Sequence, residues 1–199
     1  MNQVESKDGV AVMTGNASSG VSGAKTKISS VTIVSAASEF IFEEVITLGA
    51  RYRQATIDAG GVVQQGPLAV SVDLTSRKVE RFMESEREKV IADEREWLER
   101  HGAGVVLSDV AFAPLVAAKD LGIPSILIGN FTWDFIYSEY LPRSLTDVIT
   151  RDYSHASHFF RLPGNSPSPS STECLLLDRR PVCFLVLHRH QVTWISPPS

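Results

Sequence analysis

Cysteine and histidine are scarce in this sequence, which has two cysteines and five histidines in 199 residues. Cys174 and Cys183 have no histidine at the spacing that a zinc site requires. We therefore expect two free thiols and no metal site. The sequence shows no motif for a cofactor, and none is expected.

An excess of charge of one sign is also missing, because 19 basic residues stand against 23 acidic ones and the net charge is −4. No cluster of Lys and Arg is long enough to neutralise a run of phosphates, which argues against nucleic acid as a partner. No window approaches the roughly 18 consecutive apolar residues of a membrane span, and the first 30 residues contain no apolar signal-peptide core. The sequence therefore predicts a cytoplasmic protein without a membrane span.

Composition divides the chain into three parts. Residues 1–30 are rich in Gly, Ser, Asn and Lys and are expected to be a flexible segment, apart from a short apolar run at Val10–Met13. Residues 31–165 carry the periodic apolar segments of one domain. Residues 166–199 are expected to be an irregular tail, in which Cys183–Leu187 is a candidate strand without a partner.

The first half of the domain predicts two strands and two helices. Val31–Ser35 is a β-branched strand, and a helix is expected over Phe40–Leu48. A second strand at Tyr52–Ile57 leads into a loop that runs to about Asp73 and is long enough to be a binding loop. Only about 15 residues separate the Val10 run from Val31, too few for a full helical crossover between parallel strands.

A long charged helix is expected from an N-cap at Thr75 to about Arg100. Its apolar stripe consists of Val79, Phe82, Met83, Val90, Ile91, Trp97 and Leu98. The charges of mixed sign on its other positions are typical of a solvated face; they include Glu84, Glu86, Arg87, Glu88, Lys89, Glu94 and Arg95.

The best-defined segment is a strand, helix and strand over residues 104–129. Gly104–Asp109 and Gly122–Gly129 are continuously hydrophobic, as parallel strands are when helices cover both faces of their sheet. An apolar helix is expected between them over Val110–Leu121, and a further helix around Leu145–Phe160. These patterns predict an α/β fold with a Rossmann-like parallel sheet flanked by helices.

Polar residues follow both of these strands at the edge of the sheet where ligands collect in α/β proteins. Asp109 ends the first strand and is a candidate catalytic residue, although capping the next helix is its simpler role. Asn130, Thr132, Trp133 and Asp134 follow the second strand and are candidate ligand-binding residues. Asn130 or Thr132 is the expected cap of the next helix, and Trp133 either stacks on a sugar or fills the core.

Two other sequence patterns resemble functional motifs but lack residues that those motifs require. The Gly15–Thr26 stretch is not a phosphate loop, because Ala24 stands before Lys25 where such a loop requires glycine. His155 and His158 lie near Asp152 on the expected helix, with too few ligands for a metal site.

The segment from Val106 through Leu121-Gly-Ile-Pro124 to Tyr140 resembles the glycosyltransferase-like N-terminal region of the L-arabinokinase family. The likeness extends forward through Asp152–His155 and Arg161–Gly164 and more loosely back to Val31, and so covers about residues 31–169. The pattern of an Asp that ends a strand, an apolar helix and Leu-Gly-Ile-Pro also resembles UDP-glycosyltransferases, which have the GT-B architecture of two facing Rossmann-like domains.

The resemblance implies the acceptor-side half of a GT-B enzyme that transfers sugar from a nucleotide sugar to the hydroxyl of a small-molecule or glycan acceptor. It thereby implies that the candidate acceptor-binding residues are Asn130, Thr132, Trp133 and Asp134. In that family a histidine after the first strand acts as base, and an Asp at the position of Asp109 orients it. The first histidine of this chain is His101, so the base is missing at the family position. We therefore expect a truncated domain, without the donor-binding half or a kinase domain, that is inactive alone. The alternative is a non-catalytic fragment that binds a partner or associates with itself through its exposed sheet edge.

Overall fold

The protein was examined as a computed structural model that describes residues 4–5, 9–14, 30–64, 69–162, 174–175, 186–188 and 191–193, with side chains over 30–62 and 71–162. The strands are β1 (Val4–Glu5), β2 (Gly9–Thr14), β3 (Ser30–Ser35), β4 (Arg51–Gln54), β5 (Val62–Gln64), β6 (Ala69–Val70), β7 (Ala103–Asp109), β8 (Ser125–Gly129), β9 (His158–Arg161), β10 (Cys174–Leu175), β11 (Val186–His188) and β12 (Gln191–Thr193). The helices are α1 (Glu43–Thr47), α2 (Val72–Arg81), α3 (Arg87–Arg100), α4 (Ala113–Asp120), α5 (Trp133–Tyr137) and α6 (Arg143–Tyr153). A 3₁₀ turn, Glu39–Phe42, precedes α1, and a π-helical turn, Phe82–Glu86, joins α2 to α3.

Seven strands form one sheet in the order β10-β9-β8-β7-β2-β3-β4. Every neighbouring pair is parallel except those of β2, which runs antiparallel to both β3 and β7. The predicted Rossmann-like α/β fold is confirmed, and the expectation that the whole sheet is parallel is corrected at β2. An antiparallel pair needs no helical crossover, which agrees with the short connection between β2 and β3.

The core lies between this sheet and its helices. Val34, Val106, Leu127 and Phe159 contribute from the strands and are at most 3% exposed. They join one buried cluster with apolar residues of α2 to α6 and of the π-helical turn. Along β8 buried and partly buried residues alternate, as expected for side chains that point to opposite faces of a sheet.

The predicted apolar stripe of the charged helix is confirmed, because Val79, Phe82, Ile91 and Leu98 are buried and Met83, Val90 and Trp97 pack against the core. The predicted N-cap at Thr75 is wrong. The helix begins at Val72, and the buried Thr75 hydroxyl accepts a hydrogen bond of 3.0 Å from the Val62 backbone N–H. Thr75 thus fastens the preceding loop to the first turn of α2.

Two residues assigned to the solvated helix face lie in partly buried ion pairs instead, each with one buried carboxylate. Glu94 is 2% exposed, and its Oε1 lies 2.7 Å from Arg53 Nη1 on β4. Arg87 donates to both carboxylate oxygens of Asp152, from Nε at 2.8 Å and from Nη2 at 2.5 Å. These partners come from strand β4 and helix α6, which helical spacing does not reveal.

The expected helix over Leu145–Phe160 ends early, at Tyr153, and Phe159 and Phe160 belong to strand β9. β9 pairs with β8, so the two phenylalanines extend the sheet. In the tail, Val186–Leu187 do have a partner, since β11 pairs with β12. The Gly15–Thr26 stretch and Cys183 lie outside the described residues. Among the helices that the structure describes, none is long and apolar enough to cross a membrane.

Candidate functional site

Six parallel strands end along one edge of the sheet, at Ser35, Gln54, Asp109, Gly129, Arg161 and Leu175. β2 runs the other way and therefore begins at this edge, where Gly9 is paired with Ser35 on one side and Asp109 on the other. Asp109 and Asn130 are both exposed here. We call Asp109, Val110, Gly129, Asn130 and Thr132–Asp134 the sheet-edge site.

A strained turn follows Asp109. Val110 has a φ of 54°, in the left-handed region that β-branched residues rarely adopt, and its side chain is 2% exposed. The Ala111 N–H donates to the Asp109 carbonyl at 2.8 Å, and Ser108 Oγ donates to the Ala111 carbonyl at 2.5 Å. Tyr153 Oη donates to the Val110 carbonyl. Such strain persists only where surrounding contacts hold it, and it clusters at functional sites.

This turn explains why the expected capping role of Asp109 is wrong. Helix α4 begins at Ala113 with Phe112 at its N-cap position, three residues beyond Asp109. The Asp109 carboxylate is therefore displaced from the helix end and stays at the exposed edge of the sheet.

Gly129 allows the ends of β7 and β8 to approach closely. A Cβ atom on this glycine would lie 3.2 Å from the Phe131 carbonyl oxygen and 3.3 Å from Val110 Cγ1, both tighter than ordinary contacts. Asp109 Oδ1 would be 3.9 Å away from the same Cβ position. The absence of a side chain at 129 thus makes room for the strained turn and for the carboxylate beside it.

Of the residues predicted to bind an acceptor, Thr132, Trp133 and Asp134 are buried, at 0%, 7% and 1% exposure. Thr132 is the N-cap residue of α5 by backbone conformation, without a side-chain cap bond. Asp134 accepts from the Phe135 N–H at 2.9 Å and from Thr150 Oγ1 at 2.8 Å, which ties α5 to α6. These three residues are buried within the sheet-edge site, whereas Asn130 and Asp109 are exposed to solvent.

Trp133 belongs to the core, which was one of its two expected roles. Its ring stacks on Tyr137 with centroids 5.1 Å apart, and its Nε1 donates to Asp58 Oδ2 at 3.2 Å. Tyr137 Oη in turn donates to the Gly60 carbonyl at 3.0 Å. The loop after β4, expected to be a binding loop, is thereby packed against α5, and residues 57–62 are all buried.

Tyr153 is the residue that the sequence analysis missed and that organises the site. Its hydroxyl donates to Val110 and accepts from the Trp133 backbone N–H at 3.1 Å, so that it joins the loops after β7 and β8. Its ring packs edge-to-face on Phe112 with centroids 5.9 Å apart. Nothing in the local pattern predicts this role, because Val110 is 43 residues away in sequence.

An ion pair lies directly beside Tyr153 in the chain. Burial raises the pKa of the Asp152 carboxyl, although the hydrogen bonds and positive charge of Arg87 oppose this shift. The hydrogen bond to Asp152 raises the pKa of Arg87. Arg87 is charged at any physiological pH, and its bidentate contact is the geometry of an ionised carboxylate, so we assign a charged pair at neutral pH.

The histidines whose side chains the structure describes are His101, His155 and His158. His101 follows α3, just before β7 begins, and the seven residues of β7 separate it from the sheet-edge site by about 20 Å. His155 and His158 do not share a helix face, since α6 ends at Tyr153 and His158 begins β9. Over the side chains that the structure describes, no group of three His, Cys, Asp or Glu residues is arranged to hold a metal ion.

Comparison with known proteins shows a similarity over part of the chain. The chain is 35% identical over 150 residues to L-arabinokinase of Arabidopsis thaliana. The match covers 70% of this chain and 14% of the relative, so the chain is a partial homologue that spans about a seventh of its length. No protein-family model matches the chain, and no solved structure matches it.

Proposed function

We propose that the sheet-edge site binds the hydroxyl groups of a sugar or glycan, in a glycosyltransferase-like domain that does not complete sugar transfer by itself. The observation that carries the proposal is the exposed Asp109 carboxylate on a strained and well-supported turn. Strain of this kind costs about 1 to 3 kcal/mol, and a turn that only linked a strand to a helix would not require it.

The chemistry of the two exposed residues suits a hydroxylated ligand. The Asp109 carboxylate accepts hydrogen bonds, and the Asn130 amide both donates and accepts them. Thr132, Trp133 and Asp134 act indirectly, because their buried contacts fix the backbone that presents Asn130. The similarity to L-arabinokinase, whose name indicates action on a sugar, supports a sugar as the ligand.

The direction of β2 supports binding without transfer. In the resembled enzymes the base follows a strand that ends at this edge, whereas β2 begins here with Gly9. The strand beside β7 therefore does not end at the point where the family base would follow it. A nucleotide sugar as donor remains a prediction of the resemblance.

Saturation-transfer NMR on the full chain with L-arabinose, alone and with UDP-glucose, tests the proposal. We expect L-arabinose signals that Asp109→Asn weakens, since the variant replaces the accepting carboxylate with an amide of similar shape. Asp147→Asn is the matched control, because it removes the same charge from an exposed position on α6.

Enzymatic assays complete the test. We expect no release of UDP from UDP-glucose and no phosphorylation of L-arabinose with ATP. If the unmodified chain released UDP and Asp109→Asn abolished this release, the sheet-edge site would be catalytic and not only a binding site. Absence of sugar binding in both the unmodified chain and the control would refute the proposal.

A specific observation favours a second candidate function, in which the domain docks on a protein partner. The 3₁₀ turn and α1 contain no buried residue, and Phe40 and Leu48 are 74% and 72% exposed. Large apolar side chains exposed together are typical of interaction surfaces. Concentration-dependent association that Phe40→Ser abolishes, together with unchanged sugar signals, would support this function.

A further inference from the structure

A polar groove lies away from the sheet-edge site, between the end of β4 and the α2–α3 helix. Its volume is about 290 Å³, and its polar lining includes Arg53, Thr56, Ser85, Lys89, Asp93 and Glu94. β2 and β3 stand between β4 and β7 in the sheet, so about 14 Å of sheet separates the groove from Asp109. We call it the β4–α3 groove.

Glu94 brings an incompletely satisfied carboxylate to this groove. Its Oε1 lies 2.7 Å from Arg53 Nη1, but Oε2 is buried without a hydrogen-bond donor among the described residues. The Arg53 guanidinium is held in place because it also lies over the Trp97 ring, 4.9 Å from its centroid. A buried carboxylate oxygen without a donor is costly, and a hydroxyl that enters the groove would relieve this cost.

The π-helical turn supplies one wall of the groove. Its wide loop is closed by the Arg87 N–H, which bonds the Phe82 carbonyl five residues earlier. Ser85 Oγ donates to the carbonyl of Arg81, four residues earlier, at 2.8 Å. Single π-turns within helices occur frequently at functional sites, and this one carries Ser85 into the groove lining.

The charges around the groove are already neutralised by one another. Each cation has an anion at 2.7 Å, in the pairs Arg53–Glu94, Lys89–Asp93 and Arg81–Glu86. A charged ligand would have to break or outcompete these pairs, whereas a neutral ligand would not. Ala55 and Val90 add an apolar surface against which C–H groups can pack.

We propose that the β4–α3 groove binds a neutral polyol of about monosaccharide size. One ligand hydroxyl donates to the Glu94 carboxylate and accepts from Arg53, while a neighbouring hydroxyl bonds Thr56 at the rim. Pockets for drug-sized ligands begin at about 300 Å³, which makes this groove suitable for a small molecule.

Two-dimensional NMR titration of the full chain with xylitol tests the proposal. We expect saturable shifts in the amides of Thr56, Ser85 and Glu94. Thr56→Val keeps the side-chain shape, removes the rim hydroxyl and should weaken binding about tenfold. Ser138→Ala, which removes an exposed hydroxyl at the end of α5 and outside the groove lining, is the matched control and should leave binding unchanged.

Further measurements distinguish binding in the groove from binding at the sheet-edge site, and a neutral polyol from other classes of ligand. 1,5-Pentanediol, which lacks adjacent hydroxyls, should produce no saturable shift, and Asp109→Asn should bind xylitol as the unmodified chain does. Shifts confined to residues near Asp109 would refute the groove without affecting the sheet-edge proposal. Stronger binding of the diamine putrescine at the same amides would refute a neutral ligand, and absence of any saturable shift would refute the site.

Discussion

At the scale of single residues, two tyrosine hydroxyls in the core have opposite surroundings. Tyr153 Oη bridges the Val110 carbonyl and the Trp133 N–H. Tyr140 Oη is buried without a partner among the described residues, and burial raises its pKa. The same chemical change at the two positions should therefore have different effects on stability.

We expect Tyr153→Phe to lower the free energy of unfolding by about 1 to 3 kcal/mol, because it leaves a buried carbonyl and a buried N–H without their partner. Tyr140→Phe should be neutral or stabilising, since it removes a hydroxyl that makes no bond to the described residues. Urea denaturation of both variants measures the two changes. Equal destabilisation would contradict the bridging role of Tyr153.

Glu94 gives a residue-scale prediction on pH. Burial, the largest cause, raises its pKa above the ordinary value of 4.5, and Arg53 opposes the shift. The folded protein therefore holds this proton to higher pH than the unfolded chain does, and the associated stability is present below pH 4.5 and is lost as pH rises through the raised pKa.

We expect the unfolding free energy of the unmodified chain, measured by urea denaturation from about pH 4 to about pH 7, to fall more than that of Glu94→Gln. Glu99→Gln removes an exposed carboxylate from the same helix and should keep the profile of the unmodified chain. If Glu94→Gln and the unmodified chain lose stability in parallel as pH rises, burial does not raise the pKa of the Glu94 carboxyl.

At the scale of secondary-structure elements, the junction after β8 depends on a glycine. We expect Gly129→Ala to destabilise the protein by about 1 to 3 kcal/mol, because the added Cβ crowds Phe131 and Val110. Gly61→Ala is the control, since its Cβ would meet Trp133 at an ordinary 3.6 Å. Thermal melting compares the two, and a larger loss at Gly61 would contradict the close approach of β7 and β8.

Much of the element pattern can be predicted from the sequence. The continuous apolar runs that became β7 and β8 indicate buried parallel strands, and their ends locate Asp109 and Asn130 at one sheet edge. Local spacing cannot predict partners that are distant in sequence. Glu94 and Arg87 have the spacing of solvated charges, yet Arg53 and Asp152, the latter 65 residues from Arg87, hold them in partly buried pairs.

The strained turn lies beyond sequence prediction for the same reason. Asp109 before an apolar helix has the pattern of an N-cap, and only the contact with Tyr153 shows why Val110 adopts a positive φ. The proposed roles of the sheet-edge residues remain predictions. Their positions follow from the parallel strands, and the burial of Thr132–Asp134 follows from contacts with α6 and with the loop after β4.

At the scale of the whole molecule, β2 connects the two halves of the sheet. β3 and β4 lie on one side of it, and β7 to β10 lie on the other. We expect Ala11→Pro to abolish cooperative unfolding, because proline removes a backbone donor from a central strand that has neighbours on both sides. Ala11→Val, which keeps the donor, is the control.

Circular dichroism during thermal melting measures this effect. The proline variant should show a broad transition without a midpoint, and the valine variant should melt as the unmodified chain does. A sharp transition in Ala11→Pro would show that the two halves associate without β2.

The position of β2 also has a consequence for the order of folding. The β2–β3 pair closes a short loop, whereas Gly9 meets Asp109 only after the ribosome has made about a hundred further residues. During synthesis the outer edge of β2 should therefore stay unpaired until β7 emerges. In that interval the nascent chain is most exposed to wrong pairing with other strands, and chaperone binding should be strongest.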